Sequence, residues 1–365
     1  MEEALYLKNN RALKGARVVL VHQPRKGVLI PKINLVPLGL FALADLLDQC
    51  GARVEIIHTG VEEALDPRFS LLKELSQIDP ILIGFTLAWH QQATQTIECI
   101  QRVKQTLSKS AIIVGGYTAS RFARDILNTV PEIDFVIRGE AELPLVRLTA
   151  ALLAQPSAQF ERVPNLLWRQ SDNTVRESER SYQADNAIIN QISFTRFELM
   201  RNFEEYLKLK MNLDFSSTER SFYFSVGRGC SASCLYCGGS RRAFQKYYAR
   251  KGVLVFEHDY VLAQLGNLSN HHISHWNSCF DPFPTSPYYP ELFKKIRSKD
   301  LAMSHVFDCF GLPQSSFVEE FSQTFLPGSV LSLSPETGAE DLRKRLKTFY
   351  YSDKELFSAI ENILE

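Results

Sequence analysis

No charge of one sign dominates this 365-residue sequence, in which 41 lysines and arginines offset 41 aspartates and glutamates. There is thus no global field to draw in nucleic acid or an anionic membrane surface, and charge says little about partners. Long apolar runs are missing too, and none reaches the roughly twenty residues that a bilayer span requires. The opening MEEALYLKNNRALKG contains acidic residues and no apolar signal core, so a cytoplasmic location is expected. Internal repeats and low-complexity tracts are absent, which argues against solenoids and disordered tails. Cysteine is sparse, with seven residues of which three are grouped. In a reducing compartment, grouped cysteines bind metal or do chemistry more often than they form disulfides.

What is present is an ordinary globular composition, 45% hydrophobic and 22% charged, at a length that accommodates two domains. Short β-branched runs at 18–22, 54–58, 81–86, 112–114 and 135–138 alternate with amphipathic stretches at 38–50, 93–107 and 121–129. Strands spaced by helical patterns give βαβ crossovers and a parallel sheet, predicting a doubly wound α/β domain over 15–155. Residues 156–218 are polar and mixed in charge, and predict a connector holding a small hairpin and a helix.

The alternation resumes from 219 to 365, with strands at 221–226, 273–280, 302–309 and 330–334. Helices are expected near 259–268, 290–298, 317–324, 339–346 and 353–364. These make four β/α units of a (β/α) barrel that is incomplete at its C-terminal side. An open barrel leaves an unpaired edge and an apolar lumen in water. A partner chain or a further C-terminal region is therefore expected to cover the open side.

The grouped cysteines lie in Gly227-Arg228-Gly229-Cys230-Ser231-Ala232-Ser233-Cys234-Leu235-Tyr236-Cys237-Gly238-Gly239, directly after a predicted strand. Thiolates at i, i+4 and i+7 in a glycine-flanked loop can wrap three corners of a cubane cluster, and the glycines let backbone approach the sulfides. A fourth cysteine is missing from the loop, and a vacant metal position is where ligands bind and become activated. Tetrahedral zinc prefers paired C-x2-C units, whereas Cys279 and Cys309 stand alone. Either lone thiol is a weak candidate for a catalytic hydrogen donor, against the commoner fate of a buried cysteine as a small hydrophobe. Arg228 and the pair Arg241-Arg242 flank the loop, either balancing cluster charge or being solvated.

The C-x3-C-x2-C pattern with an aromatic before its last cysteine resembles the radical S-adenosylmethionine (SAM) superfamily. The resemblance implies a 4Fe-4S cluster on Cys230, Cys234 and Cys237, with SAM chelated at the open iron and cleaved by one electron to a 5′-deoxyadenosyl radical. Tyr236, Gly238 and Gly239 fall where that family approaches SAM. On 275–281, period-two alternation groups His275, Asn277, Cys279 and Asp281 on one face, and on 331–336 it groups Ser332, Ser334 and Glu336. The resemblance makes Asp281, Ser332, Ser334 and Glu336 SAM contacts, whereas the residues alone are equally read as strand-end polar groups capping the next helix.

In the N-terminal domain, Thr86-Leu87 ends one predicted strand, Gly115-Gly116-Tyr117 ends the next, and Arg138-Gly139-Glu140 forms a later turn. Parallel α/β sheets bind ligands beyond the carboxyl ends of their strands. The order of these features resembles the cobalamin-binding domain found ahead of many radical SAM barrels. It implies Thr86 and Leu87 at the hydroxyl position, Gly115, Gly116 and Tyr117 at the close-approach position, and Gly139 and Glu140 at the turn. The Asp-x-His-x-x-Gly motif that brings a histidine to cobalt in the methionine synthase type is absent. His22 and His90 are better read as strand-end or loop histidines, and Trp89 as a core aromatic.

The combined architecture, a Rossmann-like cobalamin-binding domain followed by a partial TIM-type radical SAM barrel, implies methylation of an unactivated carbon on a small-molecule or natural-product-like substrate. An external electron donor of the flavodoxin or ferredoxin type is expected to reduce the cluster. Radical cyclisation or rearrangement without methyl transfer, and a non-catalytic cofactor-binding subunit that needs a partner, are the alternatives.

Overall fold

A computed structural model of the chain describes residues 11–24, 35–154, 158–208, 220–278, 280 and 287–364. The chain folds as two units, Met1–Leu213 with Tyr247–Ala249, and Asp214–Lys246 with Arg250–Glu365. No described helix is long and apolar enough to cross a membrane.

The first unit is built on seven strands: β1 Arg17–His22, β2 Arg53–His58, β3 Leu82–Thr86, β4 Ala111–Gly115, β5 Phe135–Ile137, β6 Leu166–Arg169 and β7 Val175–Glu177. Their order in the sheet is β2-β1-β3-β4-β5-β6-β7. The first five run parallel, and β6 and β7 add antiparallel as a hairpin. Central strands such as β3 are buried along their whole length, as near-continuous apolar runs in a doubly wound sheet require. Val19, Val21, Ile83, Phe85, Ile112 and Val114 form the middle of that core. The helix Leu38–Gln49 closes one side by burying Leu40, Phe41, Ala44 and Leu47.

Two helices not anticipated from the pattern, Thr59–Leu65 and Leu71–Ile78, link β2 to β3. The second is capped by Ser70, whose side chain accepts the Lys73 N–H. The polar stretch after 157 packs onto this unit. Its Asp45–Arg196 ion pair at 2.8 Å and the Arg201 guanidinium, bonded to Glu55 and Glu74, hold it there.

The second unit contains β8 Ser221–Tyr223, β9 Gly227–Arg228, β10 Leu254–Val255, β11 His275–Ser278, β12 Ser304–Cys309 and β13 Val330–Leu333. β13, β12, β11 and β8 form a four-stranded parallel sheet in that order. β9 and β10 make a two-residue antiparallel ribbon. Helices His258–Asn270, Tyr288–Ser298, Ser315–Thr324 and Glu340–Leu346 alternate with the strands, which gives part of a TIM-type barrel. Trp276 stacks on His305 with ring centroids 3.9 Å apart. Phe307 meets Tyr289 and Phe317 of the flanking helices. These packed rings identify the helix-facing side of the sheet.

Candidate functional site

In the first unit the chain leaves β1 toward β2 on one side and returns to β3 on the other, so the carboxyl ends of β1 and β3 form the topological switch point. His22 ends β1 and Thr86 ends β3, and the His22 Nδ1 lies 2.8 Å from the Thr86 Oγ1 in a buried bond across that point. His58, the last residue of β2, packs edge-on against His22 at 4.8 Å and lies 5.8 Å from the Tyr206 ring. The hydroxyl position expected at Thr86 is therefore already engaged by a histidine. No sequence motif singles out His58, although its place at a strand's carboxyl end matches that of His22. His90 is exposed, opening the turn His90–Gln92.

Gly115 closes β4 with open space where a side chain would project. Gly116 has φ +112, and a Cβ there would lie 2.9 Å from the Leu87 carbonyl oxygen. This glycine is demanded by the backbone packing, whether or not a ligand approaches. Leu87 is buried, and Tyr117 stands 52% exposed. Gly139 turns at φ +90, and its N–H donates to Ser120 Oγ at 2.9 Å. The Glu140 carboxylate accepts the Ala184 N–H at 2.7 Å, so in this structure it ties down the following segment.

In the second unit the cysteine loop leaves the β9 strand through Gly229, whose φ is +88. A Cβ at Gly229 would meet the Gly252 carbonyl at 2.6 Å, so only glycine permits this close turn. Each of the three cysteine sulfurs accepts one backbone N–H. Cys230 Sγ takes that of Ala232 at 3.4 Å, Cys237 Sγ that of Gly239 at 3.3 Å, and Cys234 Sγ that of Thr348 at 3.4 Å. Cys230 and Cys234 are half-buried and Cys237 is exposed. Such donors stabilise negative sulfur and suit thiolate ligands. Gly238 has open space around it. Among the described residues, no three His, Cys, Asp or Glu side chains converge on one ion. Thiolates at separate corners of a cubane bind separate irons and have no need to converge.

Tyr236 is 45% exposed, and its hydroxyl lies beside the Glu336 carboxylate and Cys234. Local desolvation, then the Glu336 bond and the nearby negative charge, push the phenol well above the ordinary tyrosine range. Glu336 follows β13 in a left-handed conformation at φ +67, and the Lys347 Nζ stands 3.8 Å from its Oε1. Lys347 is buried, as is Tyr351, whose phenol is raised to about 12, chiefly by burial. Ser332 and Ser334 are half-buried. The structure therefore brings Tyr236, Glu336 and the cysteine loop together. Lys347, Thr348 and Tyr351 join them from a segment that no local motif marks.

Asp281 and Cys279 lie outside the described residues. On β12, Cys309 alternates with His305 and Phe307 and so falls on the helix-facing register, buried at 3% exposure. The face expected for a hydrogen-donating thiol is the opposite one. There the alternation sets Asn277 and Asp308, and Asp308 is the register partner of Ser332.

A family model for the B12-binding domain matches residues 31–149. The chain is 24% identical over 231 residues, 61% of its length, to an anaerobic magnesium-protoporphyrin IX monomethyl ester cyclase from Synechocystis sp.. It is 28% identical over 136 residues, 37% of its length, to a hopanoid C-3 methylase from Methylococcus capsulatus. The chain spans 42% and 25% of the lengths of these two curated relatives.

Among solved structures, OxsB, a cobalamin-dependent S-adenosylmethionine radical enzyme with aqua-cobalamin and S-adenosylmethionine bound, superposes with a TM-score of 0.71 at 14% identity. That match covers 96% of this chain and 48% of OxsB. TsrM from Kitasatospora setae, a radical S-adenosylmethionine methyltransferase with cobalamin and a [4Fe-4S] cluster bound, gives 0.69 at 16% identity, covering 96% of this chain and 66% of TsrM. The first unit therefore contains a match to the B12-binding domain, and the chain shares its fold with these two cobalamin-dependent radical enzymes.

Proposed function

We propose that the chain is a radical SAM enzyme that holds a 4Fe-4S cluster on Cys230, Cys234 and Cys237, and uses cobalamin to methylate an unactivated carbon of a small-molecule substrate. The observation that carries this reading is the cysteine loop, in which three sulfurs each receive one backbone N–H after a glycine turn. When bound, the cluster and SAM supply a 5′-deoxyadenosyl radical, and cobalamin supplies a transferable methyl group.

The residues assigned to SAM are Tyr236, Gly238, Gly239, Asp281, Ser332, Ser334 and Glu336. Glu336 acts as the hub, because Tyr236 donates to it and Lys347 balances its charge. Cobalamin is assigned to Thr86, Leu87, Gly115, Gly116, Tyr117, Gly139 and Glu140. His22 orients the Thr86 hydroxyl, so the tautomer of His22 decides whether that hydroxyl offers a proton or a lone pair to the ligand. An external flavodoxin- or ferredoxin-type donor is the source of electrons. A partner chain or a further C-terminal region pairs with β13, one of the two described edge strands of its sheet.

Anaerobic incubation of the cluster-loaded protein with labelled SAM and a reductant tests the reading. S-adenosylhomocysteine formed beside 5′-deoxyadenosine supports methyl transfer. The longer of the two sequence matches is to a cyclase, and this favours radical cyclisation as the second reading. Deoxyadenosine without S-adenosylhomocysteine is its signature. Neither product from a fully loaded protein leaves the cofactor-binding subunit, which mass and light scattering on the purified chain would then examine.

A further inference from the structure

Two of the three N–H bonds to sulfur are local, from residues two positions beyond Cys230 and Cys237. The third is different in kind. The donor to Cys234 is the backbone of Thr348, 114 residues away in sequence. The same segment makes two more bonds to the loop, since the Ser233 N–H donates to the Thr348 Oγ1 at 2.7 Å and the Leu235 N–H to the Leu346 carbonyl at 3.0 Å. Between them, Lys347 reaches Glu336, which holds Tyr236. Residues 346–348 thus grip the loop on both sides of Cys234 and at the cysteine itself.

The segment has a firm base. Arg343 is 1% exposed, and its guanidinium donates to the Tyr351 carbonyl at 2.8 Å, to the Thr337 carbonyl at 3.1 Å and to the Asp353 carboxylate. Three acceptors, one before the helix and two after it, fix the helix end from which 346–348 emerges. A buried arginine with a bond from each of its three nitrogens rigidifies its surroundings.

We propose that Thr348 is a positioning residue for the cluster: its hydroxyl seats Ser233, and its N–H to the Cys234 sulfur sets the cluster's reduction potential. The inference rests on the cluster assignment made above. Hydrogen bonds to cluster sulfurs stabilise the more negative, reduced state over the oxidised one and so raise the potential. Losing the Ser233 anchor lets the loop move off the Thr348 N–H, and the cluster becomes harder to reduce.

The experiment is an EPR-monitored redox titration of the reconstituted full chain, comparing wild type with Thr348→Val, Thr348→Ala and Thr348→Ser at equal iron content. The valine and alanine variants are expected to show about a tenfold lower ratio of reduced to oxidised cluster at a fixed poise, equivalent to about 59 mV for one electron. The serine variant, which keeps the hydroxyl, should return to the wild-type value. The alanine variant carries the expectation if the valine variant fails to fold. A potential and EPR spectrum unchanged in both hydroxyl-free variants overturn the inference while leaving the cluster assignment intact. A serine variant shifted as far as the valine one also overturns it. A wild-type chain that holds no reducible cluster overturns the assignment and the inference together.

Discussion

The two parallel sheets carry their polar residues at the same ends but in opposite conditions. At the carboxyl end of the first sheet His22, His58 and Thr86 are buried, and they are closed on one another by a 2.8 Å bond and an edge-on ring contact. At the carboxyl end of the second, Cys237, Tyr236 and Glu336 are exposed, and the sulfurs are supplied with N–H donors. The second rim is organised around charge that a metal cluster would bring, and polar groups left facing outward carry little cost until it arrives. One rim is closed by its own side chains, while the other keeps its sulfurs and carboxylate open to solvent.

The comparison breaks most completely at the cysteines. Cys234→Ala is expected to abolish the broad visible absorption of the anaerobically reconstituted protein while leaving the thermal midpoint of the apo chain within a few degrees of wild type. A large loss of apo stability would mean that the loop is structural, as the first rim is.

Beneath the second rim lies a core that behaves like the first rim. His305 is fully buried against Trp276, with its Nδ1 2.8 Å from the Trp276 carbonyl oxygen, and burial lowers its pKa from 6.5 to about 3. The unfolded chain therefore binds a proton between these values that the folded chain refuses. Stability is fully present above pH 6.5 and falls as the pH drops toward 3, by about 1.4 kcal/mol for each unit from this residue. Urea titrations across that window should show the slope, and His305→Phe, which keeps a ring against Trp276, should flatten it by that amount.

On the first rim, Gly116→Ala forces a Cβ into a φ of +112 and to 2.9 Å from a carbonyl oxygen. A loss of about 2 kcal/mol is expected from the strain, read as a lowered urea midpoint in the apo chain. An unchanged midpoint would show that this rim yields, and that its closure is not rigid. The smallest effect belongs to Thr86→Val, which removes the hydroxyl bonded to His22. Its expected cost is about 1 kcal/mol, and it should weaken cobalamin binding measured by equilibrium dialysis without altering the cluster spectrum.

Much of this architecture is legible in the amino-acid order. The alternation of strand runs with 3.6-residue patterns locates the strands of both sheets, as near-continuous apolar runs in the first and as alternating polar and apolar residues in the second. It passes over Thr59–Leu65, which begins with a Thr-Gly pair and ends at Asp-Pro, both signals that read as loop. Leu71–Ile78 carries a usable sign in Ser70, whose capping bond is visible only with the fold in hand. The ribbon of β9 and β10 is two residues deep, too short for any periodicity.

At the site, the cysteine spacing and the glycines around it are local features that can be read directly. Lys347, Thr348 and Tyr351 cannot, because their relation to Cys234 depends on how the chain returns after β13. Cys309 shows the reverse limit. Nearness to a strand end is legible, but which face it takes depends on the stacking of Trp276, His305 and Phe307.

The long reach from Thr348 back to Ser233, 115 residues, also bears on how the protein is made. At about 5–20 residues per second, a ribosome needs roughly 6–23 s to travel from one to the other. During that interval the cysteines have emerged while the segment that grips them does not yet exist. Iron and sulfide delivered early would meet three thiols on a loose loop, open to oxidation. Delivery after release would meet a finished seat, so, if the loop carries the proposed cluster, the separation of two bonded residues sets when that cluster can be inserted.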